Sequence, residues 1–282
     1  MATFLILGGT GKVGRRISEL LDRHGHVVRP ASRSGSTRFD WRDRSTWAPA
    51  LEGVDGVFIV GPGSATDWSP LLSELLQAGS EAGVQQAVLL SARGVEFLPD
   101  GAVARAERAL QEGRVPWTIL RPTHFSQNFT EAMFAPDHGV ITAPVGDGAE
   151  PFIDVLDIAE VAANVLAEGP ESPHARQIVA LSGPQAITFA EAAAVLSEVS
   201  GQPVTFVPQT VAAHVADLRN ASTPEGYLEW RLAMLGGIER GEDAYLSDGV
   251  ESVLGRPATG FRDWARREVP GASWVRRNAT SR

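Results

Sequence analysis

The sequence predicts an α/β fold in which a doubly wound parallel sheet carries helices on both faces. Short, nearly continuous apolar segments recur along the first half of the chain and alternate with amphipathic helical patterns. Strands of this kind are typical of parallel sheets that are buried on both sides. The first apolar segment ends in a glycine-rich turn that leads directly into a helix, as in dinucleotide-binding folds. These observations indicate a Rossmann-type sheet, followed by a smaller, mostly helical C-terminal lobe.

The predicted elements alternate regularly up to about residue 122. Strands are expected at 2–7, 26–32, 38–39, 56–60, 86–91 and 117–121, and helices at 11–24, 68–82 and 101–113. The first helix is supported by the one-face spacing of Val13, Ile17 and Leu21 and by Gly25 at its end. Beyond residue 122 the pattern becomes mixed, with short strands near 139–142, 151–153 and 176–181 and helices near 157–168 and 187–200.

Composition excludes several classes of function. The formal net charge of −9 disfavours nucleic acid as a partner, and no apolar stretch reaches the roughly 20 residues that span a membrane. The chain contains no cysteine, which rules out disulfides, thiolate nucleophiles and cysteine-ligated metals. No signal peptide is recognisable. We therefore expect a cytoplasmic monomer or homodimer that binds a small molecule, with no metal site.

The glycine turn carries the strongest motif. Gly8 allows the tight turn, Gly11 lets the backbone approach a pyrophosphate, and Gly14 lets the helix pack on the strand. The helix N-terminus offers N–H groups and a positive dipole end to phosphates. The alternative is an ordinary glycine-rich connection between a strand and a helix.

The end of the second strand predicts which coenzyme is bound. An acidic side chain at this position holds the ribose 2′-hydroxyl of NAD, whereas an arginine accommodates the 2′-phosphate of NADP. This chain has Ser32 and Arg33 there, with Lys12 as a further candidate to assist Arg33. The sequence therefore predicts NADP(H) in preference to NAD(H). The alternative is a solvated arginine, in a chain whose 25 basic residues include only one lysine.

Further candidates follow the other strands. Asp40 can accept a hydrogen bond from the adenine amino group, with Trp41 along the ring, or both can serve a turn and the core. Gly61 and Ser91 follow two apolar strands, at the sheet edge where ligands bind, although such residues also punctuate ordinary loops. We predict that residues 1–150 form the NAD(P)-binding core, that 151–184 complete the sheet region, and that 185–282 form the substrate-binding lobe.

One expected element is missing. Short-chain dehydrogenases use a Tyr-x-x-x-Lys pair to protonate a carbonyl, but the chain has two tyrosines, Tyr227 and Tyr245, and no lysine after Lys12. The pair cannot exist. Carbonyl reduction and sugar epimerisation thereby lose their usual acid and base.

At several positions the sequence resembles the NmrA-like atypical short-chain dehydrogenase/reductase family. The resemblance lies in the G-x-x-G-x-x-G turn at residues 8–14, in Ser32-Arg33, and in the segments 117–129, 152–159 and 181–184.

Within that family, two segments are similar to the ergot-alkaloid branch, which contains agroclavine dehydrogenase and festuclavine synthase. They are Arg38-Phe39-Asp40-Trp41 and Thr259-Gly260-Phe261-Arg262-Asp263-Trp264. Other branches carry Lys or His where this chain has Val103, which puts a quinone-reductase type of mechanism in doubt.

The resemblance implies a coenzyme site and a neighbouring substrate pocket. The residues that it places on the NADP(H) site are Gly8, Thr10, Gly11, Lys12, Val13, Gly14, Arg33, Asp40, Ser91, Pro122, Thr123 and Phe125. The substrate pocket would lie between residues 122–125 and the C-terminal helices, with His124, Asn128, Tyr227 and Trp230 as candidates.

A site without a phenolic acid suits iminium reduction. A C=N⁺ group that accepts hydride becomes a neutral amine directly, whereas a conjugated C=C also needs a proton, from water or from His124. His124 is alternatively a histidine packed beside the coenzyme. We predict an NADPH-dependent reductase of an imine, iminium or activated alkene. The alternatives are an NADP-sensing regulator without turnover and a lyase, isomerase or cyclase on the same scaffold.

Overall fold

The computed structural model describes residues 1–63 and 65–275. Residues 276–282, most of the polar, basic segment at 275–282 that the sequence suggests is frayed, lie outside the described residues. The strands are β1 Thr3–Leu7, β2 Val27–Ser32, β3 Thr37–Arg38, β4 Gly56–Ile59, β5 Gln86–Leu90, β6 Trp117–Pro122, β7 Val140–Ala143, β8 Ala149–Glu150, β9 Gln177–Leu181, β10 Ile187–Thr188 and β11 Thr205–Pro208. The helices are α1 Lys12–Arg23, α2 Trp47–Leu51, α3 Ser69–Glu81, α4 Ala102–Glu112, α5 Asn128–Glu131, α6 Val155–Glu168, α7 Phe189–Ser200, α8 Val211–Asn220, α9 Glu225–Glu239, α10 Gly249–Leu254 and α11 Phe261–Glu268.

The main sheet has seven strands in the order β3-β2-β1-β4-β5-β6-β9, and every neighbouring pair runs parallel. The predicted α/β class and doubly wound parallel sheet are therefore confirmed. The order reverses between β1 and β4, where open α/β sheets bind their ligands.

Both faces of the central strands β1 and β4 are buried, which explains why these strands are continuously apolar. Leu5 and Ile59 belong to a core cluster that also contains buried residues of α2, α3 and α4. The residues that alternate with them, Phe4, Ile6 and Phe58, are also at most 1% exposed. Because neither face meets water, polar residues have no alternating place on these strands.

The chain divides into two compact units, and each consists of three stretches. Among the described residues, the first unit contains 1–63, 65–122, 156–181 and 249–256, which include the seven-stranded sheet. The second contains 123–155, 182–248 and 257–275. This division differs from the sequential boundaries predicted above. Residues 123–150, assigned there to the core, lie in the second unit, and 249–256, assigned to the lobe, lie in the first.

The second unit is built on helices and two small sheets. Strand β8 pairs with β10 in antiparallel fashion, and β11 pairs with β7 in parallel. A buried aromatic cluster fills its core, with neighbouring ring centroids 4.8–6.4 Å apart among Phe129, Phe134, Phe152, Phe189 and Phe261. The strand expected near 151–153 lies at Ala149–Glu150 instead, and Ile153 makes only an isolated bridge to Phe125.

No helix in the described part of the chain is both long enough and apolar enough to cross a bilayer.

Candidate functional site

The glycine turn between β1 and α1 forms the tight cradle that the sequence predicts. Gly8 has φ +68°, a left-handed conformation that L side chains rarely adopt. A Cβ on Gly14 would stand 2.9 Å from the carbonyl carbon of Gly8, so only glycine lets α1 pack this closely on the turn. Gly9 was not singled out in the sequence, yet a Cβ there would lie 2.6 Å from the Cα of Pro30 on β2. The turn is thus fixed from both sides.

The N-terminus of α1 is open to an anion. Gly11 caps the helix, and no side chain supplies a capping hydrogen bond there. The first turn contains no acidic residue, and Lys12 is its first residue. Val13 and Gly14 follow and are buried. A helix end without its own carboxylate leaves the positive dipole end available to a phosphate.

A cleft of about 470 Å³ lies beside this turn in the first unit. It brings together seven of the predicted coenzyme residues: Gly8, Thr10, Ser32, Arg33, Asp40, Trp41 and Gly61. Six further residues line it that the sequence argument did not select: Leu7, Ala31, Phe39, Arg42, Val60 and Pro62. Its position at the carboxyl ends of β1, β2 and β4 is that of a nucleotide site in an open α/β sheet.

Three polar groups of the cleft could engage an anionic ligand. The Oγ of Ser32 is buried and has no hydrogen-bond partner among the described residues. Arg33 and Arg42 are exposed at the same cleft. Within residues 1–63 and 65–275, no carboxylate forms an ion pair with either guanidinium. An orphaned buried hydroxyl is uncommon in folded proteins, and a bound phosphate would satisfy it.

Asp40 and Trp41 serve the local turn and the core, and they also line the cleft. The carboxylate of Asp40 accepts a hydrogen bond from the backbone N–H of Arg42 at 2.9 Å, so it does form a turn. Trp41 is only 8% exposed, packs edge-on against Phe39, and donates its indole N–H to the carbonyl of Val60 at 3.1 Å. Both residues nevertheless line the cleft. The indole is therefore held in place by the core and lines one side of the cleft.

The remaining predicted coenzyme residues do not line this cleft. Ser91 is buried and donates its hydroxyl to Glu107, whose carboxylate also pairs with Arg121 at 2.5 Å. Pro122 ends β6, and Thr123 donates its hydroxyl to the carbonyl of Pro151 at 2.6 Å. Phe125 is half-buried. Their contact with a coenzyme stays a prediction.

His124 lies in a second candidate site, within the second unit. It follows the last residue of β6 by two positions and is buried. One oxygen of Glu150, Oε1, accepts hydrogen bonds from the His124 backbone N–H at 2.8 Å and from its Nδ1 at 2.7 Å. Because a carboxylate can only accept, the proton lies on Nδ1.

Charged neighbours determine the protonation of His124. Burial lowers its pKa, but the Glu150 carboxylate, through its charge and its hydrogen bond, and the Asp243 charge outweigh burial, so the pKa is raised overall. The charge of Arg231 opposes this increase. Glu150 and Asp243 are themselves buried, at 0% and 2% exposure. The cluster therefore favours an imidazolium at His124.

His214 shows the opposite behaviour in the same unit. Its Nε2 accepts from Nε of Arg231 at 3.0 Å, so its proton lies on Nδ1, 3.0 Å from Oε1 of Gln209. Burial, followed by the charge of Arg231, lowers the pKa of His214. Their neighbours thus shift the pKa values of these two buried histidines in opposite directions.

The group formed by His124, Glu150 and Asp243 has the residue types of a metal site, with its ligand atoms within 4.8 Å of one another. The separation of 2.7 Å between Nδ1 and Oε1 is that of a hydrogen bond, however, and it occupies the nitrogen that would otherwise face a shared ion. The arrangement suits a shared proton better than a metal.

The other candidate substrate residues lie on α5 and α9. Asn128 is buried and begins α5, and its backbone carbonyl accepts from the N–H of Phe134. Tyr227 is half-buried and Trp230 is buried, both on α9, the helix that also carries Arg231. Their role in a substrate pocket stays a prediction.

Comparison with known proteins identifies the family. A family described as NAD(P)H-binding matches residues 8–169. The chain belongs to this NAD(P)H-binding family. Three relatives align over nearly their whole lengths. YesF, an oxidoreductase of Bacillus subtilis, is 32% identical and covers 93% of both chains. Festuclavine dehydrogenase easG of Aspergillus fumigatus is 31% identical over 97% of this chain and 99% of its own.

The third relative is a (4-alkanoyl-5-oxo-2,5-dihydrofuran-3-yl)methyl phosphate reductase of Streptomyces griseus, 34% identical over 93% of this chain and 96% of its own. Two solved structures share the fold. The NADPH complex of the Escherichia coli quinone oxidoreductase QOR2 has a TM-score of 0.77 at 23% identity, covering 94% and 99% of the chains. NmrA with NAD, a negative transcriptional regulator, has a TM-score of 0.77 at 17% identity, covering 100% and 98%.

These findings confirm the predicted family and class of activity. The protein is an NmrA-like, NAD(P)H-binding oxidoreductase close to the clavine dehydrogenase branch. The comparisons do not distinguish between NAD and NADP as the coenzyme. Only the residues of the cleft bear on that preference.

Proposed function

We propose that the protein is an NADPH-dependent reductase that transfers hydride to an imine, an iminium or an activated C=C bond of a small, largely apolar metabolite. The observation that carries this proposal is the cleft at the glycine turn, which is lined by Arg33, Arg42 and Ser32 with its orphaned hydroxyl. The reaction class is supported by the names of the relatives, which include a dehydrogenase and a reductase.

The polar groups of the cleft support NADPH over NADH. The end of β2 carries Ser32 and Arg33, not the carboxylate that would hold a free ribose 2′-hydroxyl. A guanidinium forms short, charge-assisted hydrogen bonds with phosphate, and two of them flank this cleft. The hydroxyl of Ser32 can donate to the same anion. NADH lacks the 2′-phosphate and would leave all three groups without a ligand.

The residues of the cleft would hold the pyrophosphate and the adenine of the coenzyme. Gly8, Thr10 and the N-terminus of α1 suit the pyrophosphate, and Asp40 with the wall of Trp41 suits the adenine. When bound, the nicotinamide supplies the hydride. The protein's task is then to orient the acceptor and to keep water out of the site.

The acceptor follows from the absence of a tyrosine acid. The chain holds no Tyr-x-x-x-Lys pair, so an acceptor that needs no strong general acid is favoured. An iminium becomes a neutral amine on receiving hydride. The name of the Streptomyces griseus relative describes a ring C=C that is conjugated with two carbonyl groups, which is an activated alkene. Neither acceptor type needs a phenolic acid, and His124, Asn128, Tyr227 and Trp230 are the proposed substrate contacts.

The experiment compares acceptors and coenzymes directly. The purified protein is incubated with NADPH or NADH and a panel of cyclic iminium ions and cyclic enones, and loss of the reduced coenzyme is followed by absorbance. We expect oxidation of NADPH by at least one class of acceptor, with NADH much less effective. NADP binding without turnover, together with a partner retained in pull-down, would favour the regulator. Conversion of an acceptor without NADPH consumption would favour a lyase, isomerase or cyclase. Cytoplasmic location and a monomeric or homodimeric state remain predictions.

A further inference from the structure

We propose that Asp40 is a positioning residue for the 2′-phosphate of the coenzyme. Its side chain holds the backbone of Arg42 in a turn that keeps this guanidinium at the cleft, so Asp40 contributes to the choice of coenzyme through Arg42. This inference rests on the proposed function, because the phosphate concerned is the one that distinguishes NADPH from NADH. It gives Asp40 a role that is separate from contact with the adenine.

The segment that carries both residues begins beside Ser32. Strand β3 pairs with β2 so that Arg38 lies opposite Ser32, and the N–H of Phe39 donates to the carbonyl of Ser32 at 3.0 Å. Asp40 and Arg42 follow directly and line the same cleft as Ser32. The segment thus brings a guanidinium to the cleft that contains the orphaned hydroxyl.

The backbone of Arg42 is fixed from both sides. Oδ1 of Asp40 accepts the N–H of Arg42 at 2.9 Å, which is how an aspartate closes a turn on the residue two positions ahead. Before Arg42, the buried Trp41 donates to the carbonyl of Val60 at 3.1 Å. After it, the N–H of Asp43 donates to the carbonyl of Asp40 at 3.1 Å. Because the main chain on both sides is held, the side chain of Arg42 leaves the turn at the cleft, where it is exposed.

The other hydrogen bonds of Asp40 use its main-chain atoms. Its N–H donates to Oγ1 of Thr46 at 3.1 Å, and its carbonyl accepts the indole N–H of Trp47 at 2.9 Å. Oγ1 of Thr46 in turn donates to the carbonyl of Asp43 at 2.6 Å. A substitution at residue 40 keeps these main-chain groups and removes only the contact of the carboxylate with Arg42. Its effect on ligands can therefore be separated from loss of the fold.

The pattern of ion pairs around Arg42 points to an external anion. Arg38 pairs with Asp43 at 3.2 Å, and Nη2 of Arg44 donates to Oε1 of Glu74 at 2.8 Å. In the part of the chain that the structure describes, no acidic side chain forms an ion pair with Arg42. Of these three neighbouring arginines, the one that lines the cleft is thus the one whose charge remains available to a phosphate.

The turn requires an oxygen acceptor at residue 40 and does not require a negative charge. An asparagine carbonyl oxygen can accept the same N–H, because Asp and Asn form the same type of turn. A glutamate keeps the charge, but its longer side chain does not favour this turn. The charge of a carboxylate would by itself repel a nearby phosphate. A positioning role and a role of the charge therefore make opposite predictions for Asp40→Asn and Asp40→Glu.

The test compares two ligands that differ only in the 2′-phosphate, namely 2′,5′-ADP and 5′-AMP. The ratio of their Kd values, measured by isothermal titration calorimetry on the full chain, reports recognition of this phosphate without any turnover. We expect the unaltered protein to bind 2′,5′-ADP more tightly. Asp40→Asn should keep the ratio within about twofold, whereas Asp40→Glu should reduce it about three- to tenfold. Loss of an adenine contact in either variant would weaken both ligands equally and leave the ratio unchanged.

Asp67→Glu is the matched control. Oδ1 of Asp67 accepts the N–H of Ser69 at 2.9 Å in the same type of turn, but Asp67 does not line the cleft, so this substitution should leave the ratio unchanged. In an Arg42→Ala protein, Asp40→Glu should cause no further loss of the ratio, because the side chain that it positions is gone. If Asp40→Glu does not fold, Asp40→Ala removes the same acceptor with a smaller side chain and carries the same expectation.

A ratio that falls as far in Asp40→Asn as in Asp40→Glu would overturn the proposal. So would a ratio that neither substitution changes, or losses from Asp40→Glu and Arg42→Ala that simply add. If the unaltered protein binds the two ligands equally, the proposed preference for NADPH fails, and this inference fails with it. If no acceptor supports oxidation of NADPH, the proposed reaction alone fails, and the ratios still decide the role of Asp40.

Discussion

Replacing Arg33 by alanine should weaken the binding of NADPH and leave the binding of NADH nearly unchanged. Arg33 follows the last residue of β2 and lines the cleft beside the orphaned hydroxyl of Ser32. Only NADPH carries the extra phosphate that would engage its guanidinium. The variant therefore separates the two coenzymes by one interaction.

The expected magnitude follows from exposure and from the neighbours of Arg33. Because no carboxylate in the described part of the chain forms an ion pair with it, its charge is available to a ligand without displacement of an internal partner. A hydrogen bond to a charged group contributes about 1.5–3 kcal/mol, and about 1.4 kcal/mol corresponds to a tenfold change in affinity. Exposure to water places Arg33 at the lower end. We expect Kd for NADPH to rise about 10- to 30-fold.

Arg42 provides a second arm of the same measurement. It is exposed at the cleft like Arg33, and its substitution should weaken NADPH binding by a smaller factor. Because both guanidiniums would share one phosphate, the losses in the double variant should not simply add. Arg23→Ala is the matched control, since that exposed arginine lies at the other end of α1.

Isothermal titration calorimetry with each coenzyme measures these constants directly, at two salt concentrations. Higher salt should reduce the advantage of NADPH in the unaltered protein and have little effect in Arg33→Ala. An Arg33→Ala protein that binds NADPH as tightly as before would refute the argument. So would a parallel loss of NADH affinity, which would indicate a disturbed cleft instead of a lost phosphate contact.

Three further predictions concern packing and pH. Gly14→Ala should abolish tight coenzyme binding or destabilise the fold by about 1–3 kcal/mol, because its Cβ would overlap the preceding turn. Gly79→Ala on α3 is the control, since its Cβ meets only ordinary contacts. This control should be neutral or stabilising in urea unfolding. Phe129→Ala should cost about 3–5 kcal/mol in the same assay, since the ring is 0% exposed within the aromatic cluster, while exposed Val211→Ala should change little. The pKa of His124 is raised in the folded protein, so its protonation contributes stability that is fully present below the unfolded-state pKa of about 6.5. This stability is lost as the pH rises through the folded-state pKa. The melting temperature should therefore decline over that pH range, and less steeply in His124→Asn.

The sheet was predictable because its determinants are local. Each strand is a short apolar run, each helix has its own one-face pattern, and the glycine turn joins β1 to α1 within a few residues. The strand bounds agree with the prediction to within one or two residues for all seven strands of the main sheet. The right-handed connections of such folds restrict the possible strand orders, whereas the register comes from the structure.

The candidate sites were predictable only where a motif spans adjacent residues. Ser32 and Arg33 were found because they follow a strand directly. Arg42 was missed because the turn at Asp40 brings it to the cleft, and nothing in its immediate sequence marks it. Gly9 was missed because its constraint comes from Pro30 on a neighbouring strand.

His124 shows the same limitation at longer range. The sequence indicated the histidine but not the groups that determine its charge. Glu150, Asp243 and Arg231 lie far along the chain and meet it only after folding. Trp41 shows a different limitation. The sequence indicated its place beside the adenine, but not that its indole N–H donates to the backbone carbonyl of Val60.

The chain changes unit after Pro122, Val155, Leu181, Asp248 and Arg256. Neither half is therefore a contiguous module that a single cut could release or a single fusion could transplant. Exchange of one half between related genes would require several coordinated crossovers. Point substitution is consequently the more accessible evolutionary route by which such a protein changes its substrate.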